Sequence, residues 1–342
     1  MREVLRGWWR SPLWVMALAT GAKSFADNPV IGSERLNRRG LHVARLKLAH
    51  RMAWARRRRL ASHVPAEWRE RFDRDGFVVI PGFLSEADFA RMRDHLLDRA
   101  FKSREQQQGD TVTRRVPIGP RLVQQCSELR RLLRDSRWKS LLAYVASTRS
   151  EPLYYVQSIF TDALDAPADP QLQLHADTFH PSMKAWLFLT DVEPDKAPLT
   201  YVAGSHRLTP QRLSWERAKS VNIREADRLS QRGSFRVSPE ELPGLSLPQP
   251  TAFAVPANTL VAIDTSGFHA RGPSVGPTVR AEIWAYCRRS PFLPWTGFDL
   301  LSWGPLAIRR GKWLIAIIDR LDRLGLRKQH WRTAGTRRPL DR

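Results

Sequence analysis

The chain has 342 residues, of which 42% are hydrophobic, and it carries a formal net charge of +22. This apolar content is enough to bury a core and excludes a globally disordered protein. The two cysteines, Cys126 and Cys287, are too few for a disulfide scaffold or a cysteine-rich zinc module.

The positive charge is concentrated in the two terminal segments. Residues 1–60 hold 14 Lys and Arg against 3 Asp and Glu, and residues 305–342 hold 11 against 3. The middle of the chain is therefore close to neutral, and the basicity concerns what the ends contact rather than what the core binds.

The N-terminal segment combines tryptophans and aliphatic residues with cationic side chains. Trp8, Trp9 and Trp14 lie near its start, and the run Arg56–Arg59 lies near its end. This pattern, which recurs around Trp313 in the C-terminal segment, is typical of amphipathic helices that pack on the protein's own core or lie at an anionic membrane surface. Phosphate contacts with nucleic acid are a third alternative, but no recognisable nucleic-acid module accompanies the run.

Neither terminal segment contains a membrane span. No uncharged run in either terminal segment reaches the roughly 18 residues that span a bilayer, and the longest one near the N-terminus covers residues 11–22. That run is also short for a secretory signal, and basic residues continue long after it. We therefore expect a cytoplasmic protein, peripheral on the inner face of the membrane if its ends bind anionic lipid.

A strand and a capped helix begin the central region. The β-branched and aromatic residues of Gly76–Ile80, which end at Pro81 and Gly82, predict a strand. Ser85 then precedes acidic residues and a run of apolar residues at helical spacing. This pattern predicts an N-cap followed by an amphipathic helix of about four turns.

From residue 153 onward the pattern is mostly that of β-strands. The predicted strands are Leu153–Phe160, Leu172–His175, Lys184–Asp191, Leu199–Val202, Ala252–Ala254, Leu260–Asp264 and Arg280–Tyr286. Turns rich in Gly, Pro, Asp and Ser separate them, and residues 205–250 form a longer polar insertion. Many short strands behind a helical front end predict a mainly β fold, a sandwich or barrel, with helices packed outside.

A His-x-Asp motif lies at the end of one predicted strand. Residues i and i+2 of a strand point to the same side, so His175 and Asp177 can share one metal ion. His269, which follows the apolar strand Leu260–Asp264, is the best candidate for a second imidazole. Two histidines and one carboxylate leave three coordination positions open, as in non-haem Fe(II) oxygenases.

Arg280 follows His269 by eleven residues and begins another predicted strand. A buried guanidinium binds a carboxylate through two parallel hydrogen bonds. The far carboxylate of 2-oxoglutarate is a suitable partner, with its keto-acid end on the metal. The spacing of these residues at strand edges favours a metal site over a purely structural role for the histidines.

Four parts of the chain resemble the phytanoyl-CoA dioxygenase family of Fe(II)- and 2-oxoglutarate-dependent oxygenases. They are Phe72–Leu84, His175–Asp177, Leu199–Arg207, and His269 with Arg280, and the resemblance runs from about residue 68 to 291. It implies a double-stranded β-helix, or jelly-roll, with helices outside. We accordingly expect an N-terminal extension (1–62), a jelly-roll domain (63–291) and a basic amphipathic C-terminal extension (292–342).

The resemblance also implies roles for individual residues. The implied Fe(II) ligands are His175, Asp177 and His269, and the implied 2-oxoglutarate pocket includes Arg280, Trp186 and Gln157. Dioxygen is the second co-substrate that the family uses.

Some positions depart from the family pattern or compete with it. Arg271 stands where the family often has a small hydroxyl residue, so co-substrate contacts differ there or a positive group faces the substrate. Asp177 is intact, whereas related halogenases carry a small residue, so we do not expect a halogenase. His180 and His206 are rival ligands, but His180 lies in a Phe-His-Pro loop and His206 in a structural turn.

The expected activity is hydroxylation of a C–H bond. The basic, Trp-rich ends favour an acyl lipid or a lipid-linked glycan as the substrate, approached from the cytoplasmic face of a membrane. A soluble oxygenase acting on a small metabolite is one alternative, and a non-catalytic membrane- or nucleic-acid-binding adaptor with a relict barrel is another. The intact metal and clamp residues argue against the adaptor, and no obligate protein partner is evident.

Overall fold

The computed structural model describes residues 11–342 apart from 163, 300, 301 and 303, so Trp8, Trp9 and Arg10 lie outside the described residues. The helices are α1 (Ser11–Met16), α2 (Glu34–Arg38), α3 (Leu41–Leu60), α4 (Ala66–Asp75), α5 (Glu86–Leu97), α6 (Pro120–Gln125), α7 (Ser127–Arg134), α8 (Ser136–Ala146), α9 (Pro210–Val221), α10 (Arg228–Gln231) and α11 (Gly304–Arg323). The strands are β1 (Phe77–Ile80), β2 (Phe101–Gln108), β3 (Thr111–Pro117), β4 (Leu153–Thr161), β5 (Met183–Phe188), β6 (Leu199–Tyr201), β7 (Thr251–Ala252), β8 (Leu260–Asp264), β9 (His269–Arg271), β10 (Thr278–Cys287) and β11 (Arg332–Arg337).

Two antiparallel sheets enclose the interior of the β domain. Over the described residues, the large sheet has the strand order β1-β8-β5-β10-β4-β3-β2-β11 and the small sheet has the order β7-β6-β9. Trp186, Val261 and Trp284 of the large sheet pack with Tyr201 and Phe253 from the small-sheet side. This arrangement is the predicted jelly-roll, and the predicted fold class is confirmed.

Helices cover the opposite face of the large sheet. Leu187, Ala262 and Ile283 alternate with the inward-facing residues and pack with helical residues such as Leu129 and Trp138. Because both faces are covered, β8 is buried along its whole length. That burial explains why its sequence is an uninterrupted apolar run that ends in one aspartate.

Two local predictions have different outcomes. The predicted helix after Ser85 is α5, and the Ser85 hydroxyl caps it by accepting from the backbone N–H of Asp88. The predicted strand Leu172–His175 is wrong, since residues 170–172 form a 3-10 turn capped by Asp169. Only His175 pairs there, through isolated bridges to His269 and Arg236.

The N-terminal segment packs on the jelly-roll through α3. Arg56 donates to the backbone oxygens of Ser147 and Leu293, and Arg57 forms an ion pair of 2.8 Å with Asp264 of β8. Both arginines are almost fully buried, so half of the basic run cannot contact a membrane or a nucleic acid. For this part of the segment the structure favours packing on the protein's own core, while the domain boundary at residue 62 stays a prediction.

The C-terminal segment has a different environment. β11 pairs with β2 at the edge of the large sheet, and Arg104 of β2 forms an ion pair with Asp319 of α11. The outer side of α11 nevertheless exposes Trp313, Leu314 and Ile317. No helix among the described residues combines the length and the hydropathy that crossing a bilayer requires.

Candidate metal centre

Three potential metal ligands, His175, Asp177 and His269, come together in the fold, although Asp177 and His269 are 92 positions apart in the sequence. One ligand atom from each of the three lies within 4.8 Å of the other two. The Asp177 Oδ1 atom is 3.6 Å from Nε2 of each histidine. The sequence prediction that these residues come together therefore agrees with the geometry, and their role as ligands remains a proposal.

The backbone holds the two histidines together. His175 and His269 exchange reciprocal N–H···O bonds of 3.0 Å, which form an isolated antiparallel bridge. Their rings lie with centroids 4.6 Å apart. Asp177 reaches the same point because residues i and i+2 of an extended chain point the same way, and its N–H donates to the Thr265 backbone oxygen at 2.9 Å.

Hydrogen bonds at the far side of each ring select the nitrogen that faces the centre. Nδ1 of His175 lies 2.7 Å from the Gln173 carbonyl oxygen, and Nδ1 of His269 lies 3.0 Å from that of Gly267. A carbonyl only accepts, so both Nδ1 atoms carry the proton and both Nε2 atoms present a lone pair. This is the tautomer that a metal-binding imidazole requires.

One atom of the cluster lacks a partner. Nε2 of His269 is buried and makes no hydrogen bond to any described residue. A buried lone pair without a donor is costly, and a divalent cation at the centre would satisfy it together with His175 and Asp177. Two imidazoles and one carboxylate form a donor set that suits Fe(II), so the residues present fit this ion.

The electrostatics of the cluster favour metal binding at neutral pH. Burial lowers the pKa of His175 to about 4, so the ring is neutral and can donate its lone pair. Burial alone would raise the pKa of Asp177, but the neighbouring Lys184 ammonium opposes it, and that pKa is held well below its ordinary value. Of the three residues, Asp177 is therefore an anionic ligand and His175 a neutral one at neutral pH.

Arg280, the predicted clamp, belongs to a buried polar chain inside the jelly-roll. Its Nη1 donates to the Ala197 backbone oxygen, and its Nε lies 3.6 Å from the Glu282 carboxylate. Gln157 donates to Glu282 at 2.8 Å and accepts from Arg115 at 2.7 Å. Burial lowers the pKa of Arg280 to about 10 and raises that of Glu282.

The other predicted pocket residues lie on the same inner face. Trp186 is opposite Trp284 in the register of β5 and β10, and both rings are in the core between the sheets. Gln157 is opposite Glu282 in the register of β4 and β10. Contact of Trp186 or Gln157 with a co-substrate remains a prediction.

The rival and divergent residues have other surroundings. His180 and His206 are buried and neither belongs to the ligand cluster. His206 packs instead against Trp54 and Phe72. Arg271 donates to Asp169 and forms an ion pair with it. The sequence alone did not show whether Arg271 directs its charge toward the substrate, and in the structure Asp169 compensates that charge.

Sequence reasoning missed a set of cations around Asp177. The Lys184 ammonium lies 2.7 Å from Asp177 Oδ2, and Lys23 donates to the Asp177 backbone oxygen at 2.5 Å. Burial lowers the pKa of Lys23 to about 8, and the positive charges of Arg288 and Arg236 act in the same direction. The alternation along β5 places Lys184 on the face of Trp186, but nothing in the sequence brings Lys23 to this point.

Comparison with known families agrees with the geometry. Residues 72–241 match the sequence model of the phytanoyl-CoA dioxygenase (PhyH) family. No curated protein sequence matches the chain.

Several solved structures have a distant likeness to the chain. The non-heme alpha-ketoglutarate-dependent epimerase SnoN from nogalamycin biosynthesis is 18% identical over 68% of this chain and 90% of its own, with a TM-score of 0.40. HygX from Streptomyces hygroscopicus, with nickel, 2-oxoglutarate and hygromycin B bound, is 17% identical over 72% of this chain and 94% of its own, with a TM-score of 0.41. EctD from S. alaskensis, with bound Fe, is 17% identical over 66% of this chain and 76% of its own, with a TM-score of 0.35. At these values the likenesses say nothing about the substrate of this chain.

Proposed function

We propose that the protein, whose residues 72–241 match the sequence model of the phytanoyl-CoA dioxygenase family, is an Fe(II)- and 2-oxoglutarate-dependent dioxygenase. The proposed reaction hydroxylates a C–H bond of a membrane-associated lipid or lipid-linked glycan. The observation that carries the enzymatic part is the pair of Nε2 lone pairs that face Asp177, one of which has no partner among the described residues.

The residues of the centre would hold Fe(II) and leave room for the co-substrates. His175, Asp177 and His269 would hold Fe(II), which supplies open coordination positions for 2-oxoglutarate and dioxygen. The backbone bridge between the histidines and the ammonium of Lys184 on Asp177 Oδ2 fix the directions of the three ligands. Asp177 is then left to bind through Oδ1, the oxygen that faces both rings.

Arg280 would bind the far carboxylate of 2-oxoglutarate. Its guanidinium is buried on the inner face of β10, where a bidentate contact is strengthened by the low polarity of the surroundings. The overall stoichiometry is one 2-oxoglutarate, one dioxygen and one C–H bond, which give succinate, carbon dioxide and one C–OH bond. The inner aromatic residues Trp186 and Trp284 keep water from the site.

Two variants test the proposed centre. His175→Ala and Asp177→Ala should each abolish substrate-dependent succinate formation and lower the amount of Fe(II) bound, because each removes one of three ligands. His330→Ala, at an exposed position, is the matched control. Succinate formation by either ligand variant at the rate of the control would refute the ligand assignment.

The membrane part of the proposal is supported by the outer side of α11. Trp313 and Ile317 are 42% and 55% exposed. The cations Arg309, Lys312 and Arg320 are exposed beside them, and none of the three side chains makes a hydrogen bond or ion pair with a described residue. Exposed apolar side chains beside unpaired cations are typical of a helix in the interface of an anionic membrane.

Binding to vesicles tests this part on the full chain. We expect the protein to bind phosphatidylglycerol-containing vesicles and not pure phosphatidylcholine vesicles, with weaker binding at high salt. Trp313→Glu with Ile317→Glu should reduce binding by about tenfold or more, since two inserted side chains are lost. Val275→Glu, at another exposed apolar position, should leave binding unchanged, and equal binding by all three proteins would contradict the membrane proposal.

A soluble oxygenase acting on a small metabolite is the second candidate. The packing of α3 on the jelly-roll favours it, because the N-terminal basic run is largely used inside the protein. Turnover of a soluble substrate by a protein that ignores anionic vesicles would establish this candidate instead.

A further inference from the structure

Four cations from separate parts of the chain lie around the open side of Asp177. Lys184 comes from β5 and Lys23 from the N-terminal segment. Arg236 follows α10 and pairs with His175 through a backbone bridge, and Arg288 follows β10. The charges of Lys184, Arg236 and Arg288 all act on Lys23, so the four form one electrostatic unit, the mouth cluster.

The mouth cluster is open to solvent and has free donors. Arg288 is exposed, and Lys23, Lys184 and Arg236 are half-buried. Among the described residues, the Lys23 ammonium donates to the Asp177 backbone oxygen, which uses one of its three protons. Arg288 donates from Nη2 to the Gly21 backbone oxygen, and the buried Nε of Arg236 has no partner among the described residues.

The acids near the cluster do not balance it. Asp177 contacts Lys184 directly, and Asp227 is the other acid whose charge reaches Arg236. Four cations and these two acids leave a net charge of +2. Fe(II) and doubly charged 2-oxoglutarate would cancel each other, so the loaded site would keep the same excess.

An aromatic wall adjoins the cations. Trp284 and Tyr286 lie on the inner face of β10 and stack with their centroids 5.4 Å apart and their planes 5° from parallel. Tyr286 is also close enough to Arg288 and Asp177 for both charges to act on its hydroxyl. A bound molecule held by the cations would therefore lie beside a flat apolar surface. The metal-ligand residues His175, Asp177 and His269 lie next to that surface.

Resting on the proposed function, we propose that the substrate carries a doubly charged phosphate group and that the mouth cluster, chiefly Lys23 and Arg288, binds it. The apolar part of the substrate then lies along Trp284 and Tyr286, and the C–H bond to be oxidised lies beyond the phosphate. A phosphate monoester carries close to two negative charges at pH 7, which matches the excess of the cluster, whereas a single carboxylate would leave half of it uncompensated.

Calorimetric titration of the full chain tests the inference. The protein is loaded with Fe(II) and 2-oxoglutarate without oxygen, and the probes are dioctanoyl phosphatidic acid, neutral dioctanoylglycerol and inorganic phosphate. We expect phosphatidic acid to bind at least about tenfold more tightly than dioctanoylglycerol. Lys23→Gln and Arg288→Gln should each weaken that binding by about tenfold, the size of a lost charge-assisted hydrogen bond, and should leave dioctanoylglycerol unaffected.

Lys102→Gln, at an exposed position on β2, is the matched control and should bind as the unaltered protein does. Inorganic phosphate separates two sources of the anion. Weak binding of free phosphate supports a phosphorylated lipid, and binding as tight as that of phosphatidic acid supports a small phosphorylated metabolite at the same cations. Equal affinity for phosphatidic acid and dioctanoylglycerol, or equal losses in Lys23→Gln and Lys102→Gln, would overturn the inference.

The visible absorption of the Fe(II)–2-oxoglutarate chelate, recorded on the same samples, separates this inference from the proposed function. If the chelate does not form in the unaltered protein, the proposed function fails and the inference fails with it. If the chelate forms and no preference for the phosphorylated probe appears, only the inference fails.

Discussion

At the scale of single residues, Arg280 and Glu282 form the least expected pair of the site. A carboxylate buried beside the proposed clamp compensates its charge, so 2-oxoglutarate must bind a guanidinium that already has an anionic neighbour. The remaining donors of Arg280 then provide the binding energy for the co-substrate carboxylate.

Removal of that guanidinium should affect co-substrate binding far more than the chemical step. Arg280→Ala should raise the KM for 2-oxoglutarate by about 10- to 100-fold, as expected for loss of a charge-assisted contact, with a smaller change in kcat. Steady-state kinetics of succinate formation would measure both parameters. Arg332→Ala, at an exposed position on β11, is the control, and an unaltered KM in Arg280→Ala would show that the clamp lies elsewhere.

The residues that sequence reasoning could find differ from those it could not. His175 and Asp177 are two positions apart on one extended segment, so their common direction follows from local geometry. The link from Arg115 through Gln157 to Glu282 follows the pairing of β3 with β4 and of β4 with β10. Such a link becomes visible only when the strand order and register are known.

At the scale of elements, α3 supports the strand that leads to His269. Arg57 is fully buried, lies over the rings of Trp54 and Phe72, and pairs with Asp264 at the end of β8. Asp264 also accepts from the N–H and the hydroxyl of Ser266, three residues before His269. The helix thereby fixes the turn that carries the second imidazole.

Loss of the Arg57 charge should destabilise the whole domain. Arg57→Met should lower the free energy of unfolding by about 3–5 kcal/mol, because it leaves Asp264 buried without its cation. Urea unfolding followed by circular dichroism would measure the change, and Arg58→Met, at an exposed neighbouring position, is the control. The double variant Arg57→Met/Asp264→Asn should recover part of the loss, and no recovery would argue against a direct pair.

Element prediction succeeded where the pattern is local and failed where the surroundings decide. Ser85 predicted the start of α5 because an N-cap is a short-range feature. The hairpin of β2 and β3 was missed, since β2 reads Lys102, Arg104 and three glutamines instead of an apolar alternation. In the sheet, β4 flanks the hairpin on the β3 side and β11 flanks it on the β2 side, and neither strand is close to the hairpin in sequence.

At the scale of the whole molecule, the buried histidines make stability depend on pH. Burial lowers the pKa of His50 and His175 to about 4, and of His180 and His206 to about 3. The unfolded chain has an ordinary histidine pKa near 6.5, so below that pH it binds protons that the folded protein does not. Stability is therefore highest above about pH 6.5 and falls as the pH decreases toward these folded-state values.

The slope of this loss is measurable on the metal-free protein. Each such histidine should contribute about 1.4 kcal/mol per pH unit between about pH 6.5 and 5. His206→Leu should reduce the slope by about 1.4 kcal/mol per pH unit, because both ring nitrogens of His206 have no hydrogen-bond partner among the described residues and it lies outside the ligand cluster. Unfolding curves at several pH values would test this against His330→Leu, and an unchanged slope in His206→Leu would show that His206 titrates normally in the fold.

The two basic ends show what a sequence pattern leaves open at this scale. Both combine apolar residues with arginines, yet α3 directs Arg56 and Arg57 to backbone and carboxylate oxygens inside the protein. α11 exposes Trp313 and Ile317 instead. The difference depends on acceptor oxygens contributed by segments that are distant in sequence. The periodicity within either end does not indicate where those oxygens lie.

The reciprocal backbone bridge between His175 and His269 has a consequence for how the protein acquires its ion. These bonds join main-chain atoms and leave the ligating nitrogens free, so we expect them to hold the two imidazoles together whether or not an ion is bound. Loading should then demand little ordering of the chain, and its speed should be set by loss of water from the ion. Protection of these two amides against hydrogen–deuterium exchange should accordingly be nearly the same in the metal-free and the loaded protein. The occupancy of the centre would then depend mainly on how fast the ion escapes.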